Sequence, residues 1–184
     1  AKSKVTGLVD KGADKGALIL TERTLKDAES GLDLATLTST TFARGNGGYD
    51  GPSDEAPRPH KVPEREPDFS VDLTTLDMAA LIYRLSGDYN PLHASPSVAR
   101  AAGFPKPILH GLCSLGVAGH AILKGCCDYD AKRLKSLQLR FSSPVYPGET
   151  VRTEIWRDGA NISFKSKIVE RDVVVLDNGH ATVE

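Results

Sequence analysis

The sequence predicts an α+β protein in which an antiparallel sheet curls around one central helix. Three observations carry that expectation. A long apolar segment rich in small residues, Gly111 to Cys127, is followed by four strand-like runs separated by turn residues. The first 43 residues read as three β-branched strands with no helix among them. A helix that needs burial and sheets that need covering are therefore both present, and packing one inside the other satisfies each.

The elements follow in order. Val5 to Val9, Ala17 to Leu25 and Leu32 to Phe42 are the strands of a meander, divided by Lys11-Gly12-Ala13-Asp14-Lys15-Gly16 and by Glu29-Ser30-Gly31. Residues 44–68 read as a linker, because nine glycines and prolines crowd it (Gly45, Gly47, Gly48, Gly51, Pro52, Pro57, Pro59, Pro63 and Pro67) and aliphatic residues are scarce. Its Gly-Asn-Gly-Gly has neither the Lys-Ser/Thr nor the following helix of a phosphate loop. Residues 69–184 form the next domain. Thr74 or Thr75 caps a helix from about Leu76 to Ser86, and Ser95-Pro96 opens a short one that ends at Ala102. The Gly111–Cys127 helix is apolar on nearly every side and is expected to be buried all round. Strands at Leu134 to Phe141, Thr150 to Arg157, Asn161 to Glu170 and Val173 to Val183 complete the set, with Pro147-Gly148 and Asp158-Gly159 at the turns.

Composition narrows the partners. The 184 residues are 40% hydrophobic and 26% charged, and 23 basic residues against 24 acidic leave a net charge of −1. Nucleic acid and anionic membranes both reward a basic face, so neither is expected as a partner. The apolar run Leu112 to Leu123 is interrupted by Gly116, Gly119 and His120 and is shorter than the ~20 residues that span a bilayer. Cys113, Cys126 and Cys127 make no disulfide framework, which suits a reducing, cytoplasmic setting. Cys126-Cys127 with His120 lacks the ligand spacing of a zinc site.

Two clusters hold the chemistry. In Tyr83-Arg84-Leu85-Ser86-Gly87-Asp88-Tyr89-Asn90-Pro91-Leu92-His93, the plain reading is a helix end and a turn. Yet Asp88 and His93 sit on one proline-stiffened turn, where a carboxylate and an imidazole can share a single water and exchange protons with a substrate. In Phe104-Pro105-Lys106-Pro107-Ile108-Leu109-His110-Gly111-Leu112, Gly111 offers a backbone N–H at a helix N-terminus, where developing negative charge is stabilised. Together they supply an acid–base pair and an oxyanion site.

These segments closely resemble the hydratase 2 motif of the MaoC-like, (R)-specific enoyl-CoA hydratases, and Leu139-Arg140-Phe141-Ser142-Ser143-Pro144-Val145-Tyr146-Pro147-Gly148-Glu149 resembles the strand and turn that follow it there. The resemblance covers residues 70–184. It implies a hotdog fold, and residues 1–43 resemble the closing strands of the N-terminal module in double-hotdog members, with that module's opening half missing. It implies that Asp88 and His93 are the catalytic pair, that Asn90 helps hold the water, and that the Gly111 N–H binds the thioester oxygen. His110, Leu112, Lys106 and Arg140 are candidate substrate contacts, with a plain packing role as the alternative for His110 and a solvated one for Lys106 and Arg140. No metal or organic cofactor is implied, since only water and protons move. The implied partners are an acyl-CoA or acyl-carrier-protein thioester and a second copy of the chain in a homodimer, with a peroxisomal setting if the source is eukaryotic. The implied reaction is reversible hydration of a trans-2-enoyl thioester to the (R)-3-hydroxyacyl product. Alternatives are a 3-hydroxyacyl-carrier-protein dehydratase, a non-catalytic thioester-binding module and, last, a thioesterase. Because strands 4–43 have no helix of their own to cover them, the natural polypeptide is expected to extend upstream of Ala1.

Overall fold

Thr-rich and β-branched runs in the first 43 residues form the three expected strands in a computed structural model that describes residues 1–53 and 58–184. They are β1 (Lys2–Asp10), β2 (Ala17–Lys26) and β3 (Asp33–Ala43), antiparallel in the order β1-β2-β3. They belong to the first of two units, Ala1–Arg58 and Pro59–Glu184. Asp10 closes the end of this sheet. Its side chain accepts hydrogen bonds from the N–H groups of Gly12 and Gly48, both at 2.8 Å, and its own N–H donates to the Pro52 carbonyl at 2.8 Å. The Gly48 and Gly12 donors hold its carboxyl below the usual carboxylate range. Gly47 permits the close approach: a Cβ there would stand 2.2 Å from the Gly12 carbonyl oxygen. Leu34, Leu37 and Phe42 of β3 are all exposed.

The second unit holds β4 (Phe69–Thr74), α1 (Ala79–Tyr83), α2 (Pro96–Ala101), α3 (Gly111–Cys126), β5 (Leu134–Phe141), β6 (Thr150–Asp158), β7 (Asn161–Ile168) and β8 (Val173–Val183). Its five strands pair antiparallel in the order β4-β6-β7-β8-β5. Strict alternation decides which face is covered. Val151, Thr153 and Ile155 of β6 are buried, as are Ile162, Phe164, Ser166 and Ile168 of β7. The two hydroxyls in this set lie opposite each other in register and bond to one another, Thr153 Oγ1 to Ser166 Oγ at 2.9 Å. Each thus loses water without losing a partner.

α3 packs against β4, β5 and β6. Its small residues set the distance: a Cβ on Gly125 would lie 2.6 Å from the Phe69 ring. The expectation of a helix buried all round does not hold. Leu112, Gly116, His120 and Lys124, four apart, form an exposed stripe, because the sheet covers one side of α3 and leaves this one open. The helix expected from Leu76 is also shorter, starting at Ala79 and tightening into a 3₁₀ turn at Arg84–Ser86. β4 was not anticipated, although Phe69, Val71 and Leu73 alternate with Ser70, Asp72 and Thr74.

Residues 59–68 of the Gly/Pro-rich stretch are bound to the second unit's strands. His60 Nε2 bonds Ser163 Oγ at 2.8 Å, Asn178 Nδ2 donates to the His60 carbonyl at 2.7 Å, and Trp156 Nε1 donates to the Arg65 carbonyl at 2.7 Å. Arg65 and the Arg157 N–H both donate to Asp68, which holds that carboxyl down at about 2. Among the described residues, no helix is long and apolar enough to cross a membrane.

Candidate active site

The Asp88–His93 turn owes its shape to local side-chain bonding. Gly87, at φ +111°, ends the 3₁₀ turn after α1 in a conformation that favours glycine. Asp88 Oδ1 then accepts from the Asn90 N–H at 3.2 Å, and Asn90 Oδ1 accepts from the Leu92 N–H at 3.0 Å. Asn90 so caps a second 3₁₀ turn, Pro91–His93, with proline at its first position. The Asn90 Oδ1 thereby fixes the turn on which His93 sits.

His93 is buried, 8% exposed, and its Nδ1 lies 2.8 Å from the Ile108 carbonyl oxygen. A carbonyl only accepts, so Nδ1 carries the proton and Nε2 keeps its lone pair when the ring is neutral. His110, 1% exposed, donates from Nε2 to the Asp88 backbone carbonyl at 3.1 Å. The two imidazoles stack, with centroids 3.7 Å apart and planes 25° off parallel, and Tyr83 lies 4.6 Å from the His110 ring. One ligating atom from each of Asp88, His93 and His110 falls within 4.8 Å of the others. His93 Nδ1 and His110 Nε2 are both engaged with backbone carbonyls, which leaves the lone pairs on His93 Nε2 and His110 Nδ1.

Gly111 opens α3, where the first N–H groups of a helix have no acceptor within it. It lines a cavity of about 320 Å³ together with His93, Phe104, Ile108, Ser114 and Phe141. A Cβ on Gly111 would stand 3.3 Å from the Phe141 ring, so glycine keeps the helix start and that ring in close contact. A second cavity, about 300 Å³, is lined by Asp77, Ala80, Leu81, His93, Lys106 and Pro107 among others. His93 therefore shares one cavity wall with the Gly111 helix start, while Asp88 is exposed and lines neither cavity.

The structure thus brings Asp88, His93, Asn90 and Gly111 to one place. Of the candidate substrate contacts, Lys106 lines the second cavity, with Nζ 5.4 Å above the Tyr146 ring. His110 is inside the protein, turned to Asp88 and His93. Leu112 and Arg140 are exposed and line neither cavity, Arg140 standing opposite Asp177 in the β5–β8 ladder. Sequence reasoning missed Ser114, which is buried on the cavity wall and donates from Oγ to the His110 carbonyl at 3.3 Å. Its signal was the i+3 position after Gly111 on one helix face. The Ile108 carbonyl had none. Burial pushes the thiols of Cys113, Cys126 and Cys127 up, so none of them is an activated nucleophile.

Comparison with known proteins gives the family. Residues 59–179 match the MaoC like domain. The chain is 43% identical over 183 residues to the 3-hydroxyacyl-thioester dehydratase Y of Mycobacterium tuberculosis, covering 96% of this chain and 63% of that protein. It is 41% identical over 184 residues to the peroxisomal enoyl-CoA hydratase 2 of Arabidopsis thaliana, covering 95% of this chain and 59% of the relative. Among solved structures, a MaoC-like dehydratase from Phytophthora capsici superposes with a TM-score of 0.85 at 42% identity, over 99% of this chain and 63% of that one. The chain therefore spans about three fifths of the length of these relatives.

Proposed function

Because the chain belongs to the MaoC-like domain family, with its hotdog fold, we propose that it is a hydro-lyase adding water reversibly to trans-2-enoyl-CoA to give the (R)-3-hydroxyacyl-CoA. The observation that carries this reading is the meeting of the Asp88 carboxylate and the His93 imidazole within 4.8 Å, beside the cavity that Gly111 lines. In the proposed mechanism the thioester oxygen accepts from the Gly111 N–H, at the positive end of α3. Electron density is drawn from the double bond and C3 becomes electrophilic. A water hydrogen-bonded to Asp88 and to His93 Nε2 attacks C3 while Nε2 accepts one of its protons. The imidazolium so formed stays paired with the carboxylate and returns that proton to C2 on the same face. Water's O–H has then been added across the double bond and the protein is unchanged. Dehydration is the same path run backwards, which fits the dehydratase and hydratase names of the two relatives.

A thioester on an acyl-carrier protein presents the same reacting atoms, and the carrier is the point on which that second reading differs. Of the two settings expected, the peroxisomal one has the support of a relative's name, the peroxisomal hydratase of Arabidopsis thaliana. Incubation with trans-2-enoyl-CoAs of several chain lengths, followed by chiral analysis, tests the proposal. Formation of the (R)-3-hydroxyacyl product is expected, and absence of hydration at every length refutes it.

A further inference from the structure

Asp88 and His93 stand on a segment with little structure of its own. Residues 84–93 contain two single 3₁₀ turns, and their side-chain bonds within the segment reach only two residues along the chain. Among the described residues, two long-range hydrogen bonds moor this segment: His93 Nδ1 to the Ile108 carbonyl, and His110 Nε2–H to the Asp88 carbonyl. The second holds the backbone of the carboxylate residue itself. His110 also presses its ring against His93 at 3.7 Å and is the residue immediately before Gly111. Its ring therefore touches or adjoins every group the reaction uses, yet it is 1% exposed, and its buried Nδ1 has no partner among the described residues. An orphaned buried lone pair is costly, and phenylalanine or leucine would fill the space without one. What only a side chain with a donor at this reach supplies is the bond to Asp88.

We infer that His110 is a positioning residue: it fixes the Asp88 carboxylate relative to the His93 ring through the Asp88 carbonyl and the ring stack, without touching substrate. The inference rests on the hydratase reading. Displacement of a reacting group by about 1 Å costs on the order of 10²-fold in rate. His110→Phe keeps the stack and removes the donor; His110→Gln keeps an N–H donor of similar reach and removes the ring.

The experiment is steady-state hydration of a trans-2-enoyl-CoA by the full chain and these variants. His110→Phe should lose about 100-fold in kcat with KM within about threefold, and His110→Gln should regain at least tenfold of that loss. If His110→Phe does not fold, His110→Asn, whose amide is too short to reach the Asp88 carbonyl, takes its place with the same loss expected. A kcat within threefold of wild type in the variant lacking the donor overturns the inference. So does a loss carried by KM, which would make His110 a binding residue, or a Gln variant no better than Phe or Asn. Asp88→Asn and His93→Ala run alongside separate the two claims. If the wild-type chain hydrates no trans-2-enoyl-CoA, the hydratase reading fails; if it does, and Asp88→Asn and His93→Ala lower the rate while His110→Phe is normal, only the positioning role fails.

Discussion

His93 Nδ1 and the Ile108 carbonyl oxygen are 2.8 Å apart, and this one bond determines which end of the imidazole faces the reaction. Nε2 is left as the proton acceptor, and turning the ring over would cost the Ile108 carbonyl this donor.

Removing either member of the pair should therefore remove the chemistry and spare the fold. Asp88→Asn and His93→Ala are each expected to lower kcat by roughly 10²–10⁴, the usual worth of an acid–base group. The double variant should be little slower than the worse single one, since both groups act on one water. Steady-state kinetics with circular dichroism to verify folding checks this. Near-normal turnover by either single variant would end the assignment.

Polarisation by Gly111 can be separated from proton transfer. His110 is extended at ψ 138°, a conformation proline accepts in the residue before it, and the first helical position tolerates proline. Gly111→Pro thus deletes the N–H with the helix retained and pushes the Phe141 ring by a few tenths of an ångström, a shift that Gly111→Ala shares while keeping the N–H. A loss of about 10²–10³ in kcat is expected, the range for one oxyanion donor. A folded variant at full rate would place the thioester oxygen elsewhere.

Beneath the site, the Thr153–Ser166 pair makes a stability prediction with a sign reversal. Thr153→Val leaves the Ser166 hydroxyl buried and unpaired, which costs about 1–3 kcal/mol. Adding Ser166→Ala to Thr153→Val removes the orphan and should recover part of that loss, apart from any small void. Urea denaturation of the two variants measures it, and a double variant less stable than the single would contradict the pairing.

The segment 59–68 should loosen with acid in two stages. His60 is held below the ordinary histidine range by burial and by His180, whose ring centroid is 4.6 Å away. The folded state then binds a proton less readily than the unfolded chain, so attachment weakens as pH falls below about 6.5. Asp68 is depressed to about 2 by Arg65 and the Arg157 N–H, so its contribution is full above the unfolded value near 3.8. That contribution disappears as pH falls through about 2. Hydrogen exchange at the Trp156 indole, bonded to the Arg65 carbonyl, reports the segment. The acid-side loss between pH 4 and 2 should be missing in Asp68→Asn.

Much of this architecture is legible along the chain, wherever the cause is local. The meander is visible in Thr-rich runs between glycine turns, and the α3 helix in small apolar residues after a proline-stiffened loop. β4 carried the same alternating signal in Phe69, Val71 and Leu73, but it is short and follows a proline-rich stretch that masks it. The strand order β4-β6-β7-β8-β5 is set by packing across long separations, which no window of sequence contains. The site divides along the same line. Asp88, Asn90 and His93 lie on one turn, where spacing implies proximity. The Ile108 carbonyl that orients His93 is backbone, identical in every residue type, and His110 looks like any loop histidine until the chain reversal stacks it on His93.

Among the described residues, His93 is the one shared by the walls of the two cavities described above. One space is walled by Phe104, Ile108 and residues 141–145, the other by Asp77, Leu81, Lys106 and Pro147. On the hydratase proposal, the histidine that moves the proton faces two separately walled spaces, so a substitution in one wall is expected to alter binding there while the proton-accepting ring keeps its mooring to the Ile108 carbonyl.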